Sequence, residues 1–374
     1  MKVLYVIDSL RAGGAEQSLA AMCEPLRQRG VEIVVATFSE GGEHADEVLR
    51  AGAEIRTIDG GGLIARARFV QEVAKSGAAD LIHTTLYDAD LAGRLASRLA
   101  RLPVSSTLTT TRYVEGWAPM VPRWKTLPVH IAEALSSRLC RRLHAVSETV
   151  ADVMSAKLRY PRSRIDVVPR GRDPDHLGRR TPERSFAARG VLGVASGAPM
   201  LLSVGRRDSV KGHDVAIRAL PALAREHPDV ALVVAGRSGD ATDELAALAD
   251  ELGVALHVRF VGHRDDIGDL MCAADVLLSG SRREGMPGTI IESLALELPI
   301  VATDLPQIRE VVGGNARLIA VDDASAMSDA ALDVLQLPEA AQNDAQNGRS
   351  RFEDHFTMSV AVDGLIEHWR RVLD

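Results

Sequence analysis

The chain opens on a continuous apolar run, KVLYVI, then a polar, glycine-bearing loop, DSLRAGGAE. In AEQSLAAMCEPLRQRG the apolar positions return at helical spacing until Gly30 closes the stretch, and a second apolar run, VEIVVAT, follows. The order strand, loop, helix, strand recurs over 199–235 as PMLLSVG, RRDSVKGHD, DVAIRALPALAREHPD and VALVVAG. Runs this short and this apolar suit parallel strands covered on both faces, joined by helical crossovers. DLIHTTL, VSSTLTT, RLHAVS and IDVVP predict further strands in the first half, and VRFVG, ADVLLSG and PIVATD in the second. The expectation is α/β: two doubly wound, Rossmann-like domains. RGRDPDHLGRRTPERS, rich in Pro, Arg and Gly and without a period, reads as the linker between them, with the boundary near Arg172. MSVAVDGLIEHWRRVLD predicts an amphipathic terminal helix.

Length agrees with two domains, since 374 residues are shared at roughly 100 to 200 per domain. The net charge of −7 conceals an asymmetry, with +3 over 1–178 and −10 over the remainder. Between Arg101 and Arg172, 13 basic residues face 5 acidic ones, so the first half could attract an anionic partner. Aromatics are only 3% and do not interleave with that stretch, which argues against nucleic acid. Cys23, Cys140 and Cys272 are too few and too widely spaced for a disulfide framework or a metal site. No apolar run reaches the roughly 18 to 20 residues of a spanning helix, and Asp8 interrupts the first run too early for a signal peptide. A cytoplasmic protein is expected.

Parallel sheets present ligands at the carboxyl ends of their strands, where helix N-termini carry free N–H groups. Three loops occupy such ends. The first holds Gly13 and Gly14, with Glu16 at the helix start; close backbone approach to a ligand and a plain sharp turn both explain it. The second, after LLSVG and its Gly205, holds Arg206, Arg207 and Lys211. Cations at a helix N-terminus oppose the macrodipole, so a bound polyanion explains them better than folding does. Lys211 stands out further because the chain has 5 Lys against 39 Arg. The third is SRREGMPGTIIESLALELPIVATD, in which Glu284 lies in a loop and Glu292 eight residues on, inside a helix that Pro287 and Gly288 open. Two carboxylates there suit vicinal hydroxyls. The N–H groups of Gly285 to Thr289, the stretch Gly285, Met286, Pro287, Gly288 and Thr289, are expected to face phosphate.

Together these residues resemble the family 4 glycosyltransferases, retaining enzymes of the GT-B fold. The matching segments are EGMPGTIIE with its continuation SLALELPIVATDLPQIREVV, SVGRRDSVKGHD, GGAEQSL and AVSETVAD, so the resemblance covers nearly the whole chain. It implies an acceptor-side domain over 1–172, a nucleotide-sugar-binding domain over 173–355 and a terminal segment, 356–374, returning to the first. Arg206 and Lys211 would hold the donor diphosphate, Glu284 the transferred sugar and Glu292 the ribose. Gly14 would sit beside the phosphates, and the backbone near His263 and Arg264 in FVGHRDD would contact the base. The implied reaction moves a sugar from a nucleotide-diphosphate sugar to a sugar, lipid-linked or small-molecule acceptor, needs no metal or other cofactor, and serves polysaccharide or glycoconjugate biosynthesis.

Two stretches depart from the family pattern. Where many relatives carry a His near the reacting sugar, this chain has Thr109, Thr110 and Thr111, and where Asn-Gly-Val-Asp is common it has Arg170, Gly171, Arg172 and Asp173. A scaffold subunit that binds sugar nucleotides without turnover, and a nucleotide-sugar epimerase of the same fold, therefore stay open. Asp88 and Asp90 spell a D-x-D, but their place before LAGRLASRLA reads as a helix start. His83, Thr110 and Arg112 are the acceptor-side candidates, His83 with a structural reading as a strand-end histidine beside the functional one. The stretch with Trp117, Trp124, Arg112, Arg123, Lys125, Arg138, Arg141 and Arg142 has two readings, a helix packed on its own domain or a peripheral contact with the inner membrane face.

Overall fold

A computed structural model describes residues 1–113 and 123–374, and the side chains of these apart from Arg123 and Lys125. The chain forms two compact units, Met1–Gly171 with Met358–Asp374, and Arg172–Thr357.

The first unit runs β1 (Lys2–Ile7), α1 (Gly14–Gln28), β2 (Glu32–Thr37), α2 (Ala45–Arg50), β3 (Glu54–Thr57), α3 (Leu63–Ser76), β4 (Leu81–Thr85), α4 (Tyr87–Ala100), β5 (Val104–Leu108), α5 (Arg123–Ser137), β6 (Arg142–Ala145), α6 (Glu148–Leu158) and β7 (Ile165–Val167). Its strands pair in parallel in the order β3-β2-β1-β4-β5-β6-β7, with Val3 opposite Ile33 on one side and Leu81 on the other. Order therefore reverses between β1 and β4. The core joins Val3, Ile7, Leu19, Leu26 and Leu81 to Leu365 and Trp369. β5 is unusual, because its Ser105 and Ser106 are fully buried and need partners.

The second unit runs α7 (Pro174–Leu177), α8 (Pro182–Leu192), β8 (Met200–Val204), α9 (His213–Glu226), β9 (Ala231–Ala235), α10 (Thr242–Glu251), β10 (Val258–Gly262), α11 (Ile267–Ala273), β11 (Val276–Ser279), α12 (Gly288–Ala295), β12 (Ile300–Thr303), α13 (Pro306–Val312), β13 (Arg317–Ile319), α14 (Ala324–Gln336) and α15 (Pro338–His355). The last helix, α16 (Met358–Leu373), belongs to the first unit. The second sheet has the order β10-β9-β8-β11-β12-β13 and reverses between β8 and β11. Its core is aliphatic, built from Leu201, Ile217, Leu220, Leu232, Val234, Leu278 and Val301.

Residues 170–185 differ from the expected periodless linker. Asp173 accepts from the Asp175 N–H and Thr181 from the Arg184 N–H, each followed by a proline in the first turn, so two helices start here. Arg184 then pairs with Asp269 and donates to the Leu177 carbonyl at 2.7 Å. β3 and β13 were not expected from the apolar pattern, because the first is a largely exposed, polar edge strand and the second has three residues.

Candidate active site

In the second unit the loops after β8 and β11 flank the point of reversal, where an open α/β sheet forms its crevice. Gly212 lies in the left-handed region at φ 62°, and a Cβ there would sit 1.9 Å from the Gly280 carbonyl oxygen. Only glycine permits that approach. It brings Lys211 Nζ to 2.7 Å from Glu284 Oε1, which also accepts from the Ser281 hydroxyl at 2.7 Å. The carboxylate is 11% exposed and the lysine 32%, so the pair opens toward solvent on its cationic side.

Two residues outside the expected set hold these loops. Arg282 meets Asp214 at 2.7 Å and Asp322 at 2.7 Å and also donates to the Ser209 carbonyl, tying the Lys211 loop to the Glu284 loop. Its type and place, beside Glu284, were visible in the sequence. His213 is buried; its Nε2–H donates to the Gly205 carbonyl at 3.1 Å, and its Nδ1 accepts from Ser203 at 2.8 Å. Burial lowers the His213 pKa, so the neutral ring is the one that holds the loop.

Glu292, on the second turn of α12, accepts from Arg172 Nε at 2.6 Å, with both side chains 13% exposed. Pro287 caps the start of α12 and has no N–H, so it drops out of the expected row of phosphate donors from Gly285 to Thr289. Met286 is buried, while Gly288 and Thr289 begin the helix. Arg206 turns to Asp208 at 2.8 Å with 70% of its side chain exposed. The expected cationic clamp is thus divided, Lys211 facing Glu284 and Arg206 facing solvent. Arg264 makes a two-pronged pair with Asp266 at 2.8 and 2.6 Å, and His263 lies 3.3 Å from Asp265.

In the first unit Gly13 and Gly14 open α1, with Glu16 folded onto Gly13 and the Arg170 guanidinium against Gly14. Nearby is a cavity of about 40 Å³ whose lining includes Tyr5, Ser18, His83, Thr107, Thr109, His144 and Arg170. His83, the acceptor-side candidate, lies buried at this cavity within a hydrogen-bonded chain. Trp369 Nε1–H donates to its Nδ1 at 3.0 Å, so its Nε2–H must donate to Thr107 at 2.8 Å. Thr107 passes its proton toward His144 Nδ1 at 3.1 Å, and His144 Nε2–H ends on the Val168 carbonyl at 2.9 Å. Burial lowers the pKa of both rings, that of His144 to about 3. Each ring nitrogen is taken, which leaves His83 none for an acceptor hydroxyl. Arg112 lies 3.6 Å from buried Glu133, which also accepts from the Tyr113 hydroxyl. Thr110 is half-buried, its carbonyl accepting from Arg112 N–H at 3.1 Å. Trp117 lies outside the described residues.

Asp88 and Asp90 occupy the first turn of α4, where Asp88 pairs with Arg66 at 2.6 Å and buried Asp90 meets Thr84 at 2.5 Å and Arg94 at 3.3 Å. Asp8, at the end of β1, caps that helix by accepting from Ala89 N–H at 2.7 Å. Burial, with the nearby charges of Asp88 and Asp90, pushes Asp8 up to about 6. Among the described residues no group of three or more His, Cys, Asp and Glu side chains is placed to hold a metal ion.

Residues 12–176 match the Glycosyltransferase Family 4 profile, and residues 185–351 match the Glycosyl transferases group 1 profile. The chain is 30% identical over 337 residues to the D-inositol 3-phosphate glycosyltransferase of Nocardia farcinica, covering 82% of this chain and 72% of that one. It is 29% identical over 289 residues to the 2-deoxystreptamine glucosyltransferase of Streptomyces kanamyceticus, covering 76% and 74%. In structure it is similar to Anabaena HepE in complex with UDP, with a TM-score of 0.86 at 22% identity over 99% of this chain and 100% of that one.

Proposed function

The chain belongs to the family 4 glycosyltransferases, enzymes of the GT-B fold that use nucleotide sugars, and from that premise we propose that it transfers a sugar from a nucleotide-diphosphate donor to a polyol hydroxyl, with retention and without a metal ion. The observation that carries this reading is the Lys211–Glu284 pair at the reversal point of the second sheet. As the anomeric bond breaks, negative charge grows on the leaving phosphate. Lys211, on a flexible stem and one-third exposed, can turn from Glu284 to that phosphate, with Arg206 and the first N–H groups of α12 assisting. Glu284 is then released to accept from the sugar's hydroxyls, while Glu292 accepts from the ribose. The acceptor oxygen bonds to the anomeric carbon on the face the phosphate leaves, and its proton passes to the leaving phosphate oxygen. No dedicated protein base is required, in keeping with the full engagement of His83.

The acceptors in the names of the two relatives, D-inositol 3-phosphate and 2-deoxystreptamine, are both hydroxylated six-membered carbocycles, which supports a cyclitol acceptor. Product analysis by NMR tests the reading. Donor plus cyclitol should give a glycoside with the donor's anomeric configuration, in the presence of a chelator as in its absence. Isomerised donor would mean an epimerase, binding without turnover a scaffold, and activity restored only by added Mg or Mn ions would reject metal independence.

One surface favours a peripheral membrane contact at the cytoplasmic face as well. Trp124, Leu127, Ile131 and Leu135 form an exposed stripe along α5, beside a groove lined by Leu63, Leu91, Leu95 and Leu139, with Arg98, Arg101 and Arg138 exposed near it. Apolar side chains among cations suit an anionic bilayer surface. Among the described residues no helix is long and apolar enough to cross a membrane. Co-sedimentation with anionic vesicles at low salt, lost at high salt and weakened by Trp124→Ala with Leu127→Ser, is expected; no binding at low salt would leave a soluble acceptor.

A further inference from the structure

Arg172 stands where the chain departs from Asn-Gly-Val-Asp, and its backbone is anchored. Its N–H donates to the Phe356 carbonyl at 2.8 Å, and it bridges in parallel to Thr357. From this anchor the guanidinium lies along the first turn of α12. A Cβ on Gly288 would come within 2.1 Å of Arg172 Nη2, while Nε reaches Glu292 Oε1 at 2.6 Å. Gly288 is therefore the residue that lets the arginine lie there.

Stability alone gives little reason for this arrangement. A cation beside a helix N-terminus opposes the macrodipole, and an ion pair with both partners 13% exposed loses much of its attraction to desolvation. What the pair does provide is a fixed carboxylate. A glutamate has three rotatable bonds, and holding one oxygen sets the direction of the other. Among the described residues Oε2 of Glu292 has no hydrogen-bond partner.

We infer that Arg172 is a positioning residue, which holds Glu292 through Oε1 so that Oε2 is preset to accept from the donor's ribose hydroxyls. The inference rests on the assignment of Glu292 to the ribose. It makes the arginine a determinant of how strongly the enzyme distinguishes a ribonucleotide from one lacking those hydroxyls.

The test measures binding of a nucleoside diphosphate, whichever of UDP, GDP and ADP gives the largest thermal shift, and of its 2′,3′-dideoxy analogue, by calorimetry on the full chain. Wild type should prefer the ribonucleotide by about tenfold or more, the scale of a charge-assisted hydrogen bond. Arg172→Met should lose most of that preference with dideoxy affinity changed by less than about twofold, and Arg172→Lys should regain part of it. If Arg172→Met keeps the wild-type ratio while Glu292→Gln loses it, the ribose assignment stands and the inference about Arg172 is wrong. A ratio unchanged in Glu292→Gln overturns the ribose assignment itself. Equal weakening of both ligands in Arg172→Met would mean a purely structural role and also overturns the inference. Should that variant not fold, Arg172→Leu, which likewise removes the guanidinium, carries the same expectation and the same overturning results.

Discussion

Lys211 and Glu284, 73 positions apart, meet at 2.7 Å because Gly212 and Gly280 let two sheet-end loops touch through their backbones. The contact is a charge pair shielded on its acidic side and open on its basic side. It satisfies a mostly buried carboxylate, and in the proposed reaction each partner turns to the donor instead.

Removing one partner should therefore cost more than removing both. Lys211→Met leaves Glu284 with the Ser281 hydroxyl alone and should destabilise by about 1 to 2 kcal/mol, while adding Glu284→Gln should recover part of that loss. Chemical denaturation of the two single variants and the double variant measures it. Additive losses would mean the pair is not coupled in solution.

Gly212→Ala tests the loop contact itself. The new methyl group would meet the Gly280 carbonyl and occupy a backbone conformation at φ 62° that alanine resists, so a loss of about 2 kcal/mol or more is expected, read as a lower Tm. Gly197→Ala, where no atom lies within 4 Å, serves as the control and should be near neutral. Equal Tm values for the two variants would contradict the geometry.

The strand patterns carried two doubly wound sheets apart from β3 and β13, because parallel strands covered on both faces are apolar; the strand order and the points of reversal came from the structure. Lys211 and Glu284 were legible as candidates because each lies in a loop that leaves the carboxyl end of a strand. Their pairing was not, since it depends on a backbone approach that no spacing encodes. His83 had two readings at its strand end, an acceptor contact and a structural histidine, and no spacing encodes the bond by which Trp369, 286 positions away, donates to its Nδ1. In 170–185 composition misled where capping residues were informative, as Thr181-Pro182 and Asp173-Pro174 announce helix starts.

Asp8 predicts a pH dependence. Its folded-state pKa of about 6 is above its ordinary 3.8, so the folded form binds protons more tightly than the unfolded form. That contribution to stability is complete below about pH 4 and is lost as pH rises through about 6. Asp8→Asn keeps an oxygen for the Ala89 N–H and cannot ionise. Its stability relative to wild type should improve by about 2 kcal/mol between pH 4 and pH 7, measured by urea unfolding at both values. Parallel pH profiles would show that Asp8 titrates normally.

The central claim is that the Lys211 charge serves the departing diphosphate. The direct measurement is acceptor-dependent release of nucleoside diphosphate from a nucleotide sugar by wild type, Lys211→Ala and Arg206→Ala, with folding of each variant checked by circular dichroism. Lys211→Ala should reduce kcat by about 100- to 1,000-fold, the scale for removing an electrostatic donor to the developing charge, and Arg206→Ala should reduce it with stability unchanged. A folded Lys211→Ala variant that turns over at the wild-type rate would contradict the account.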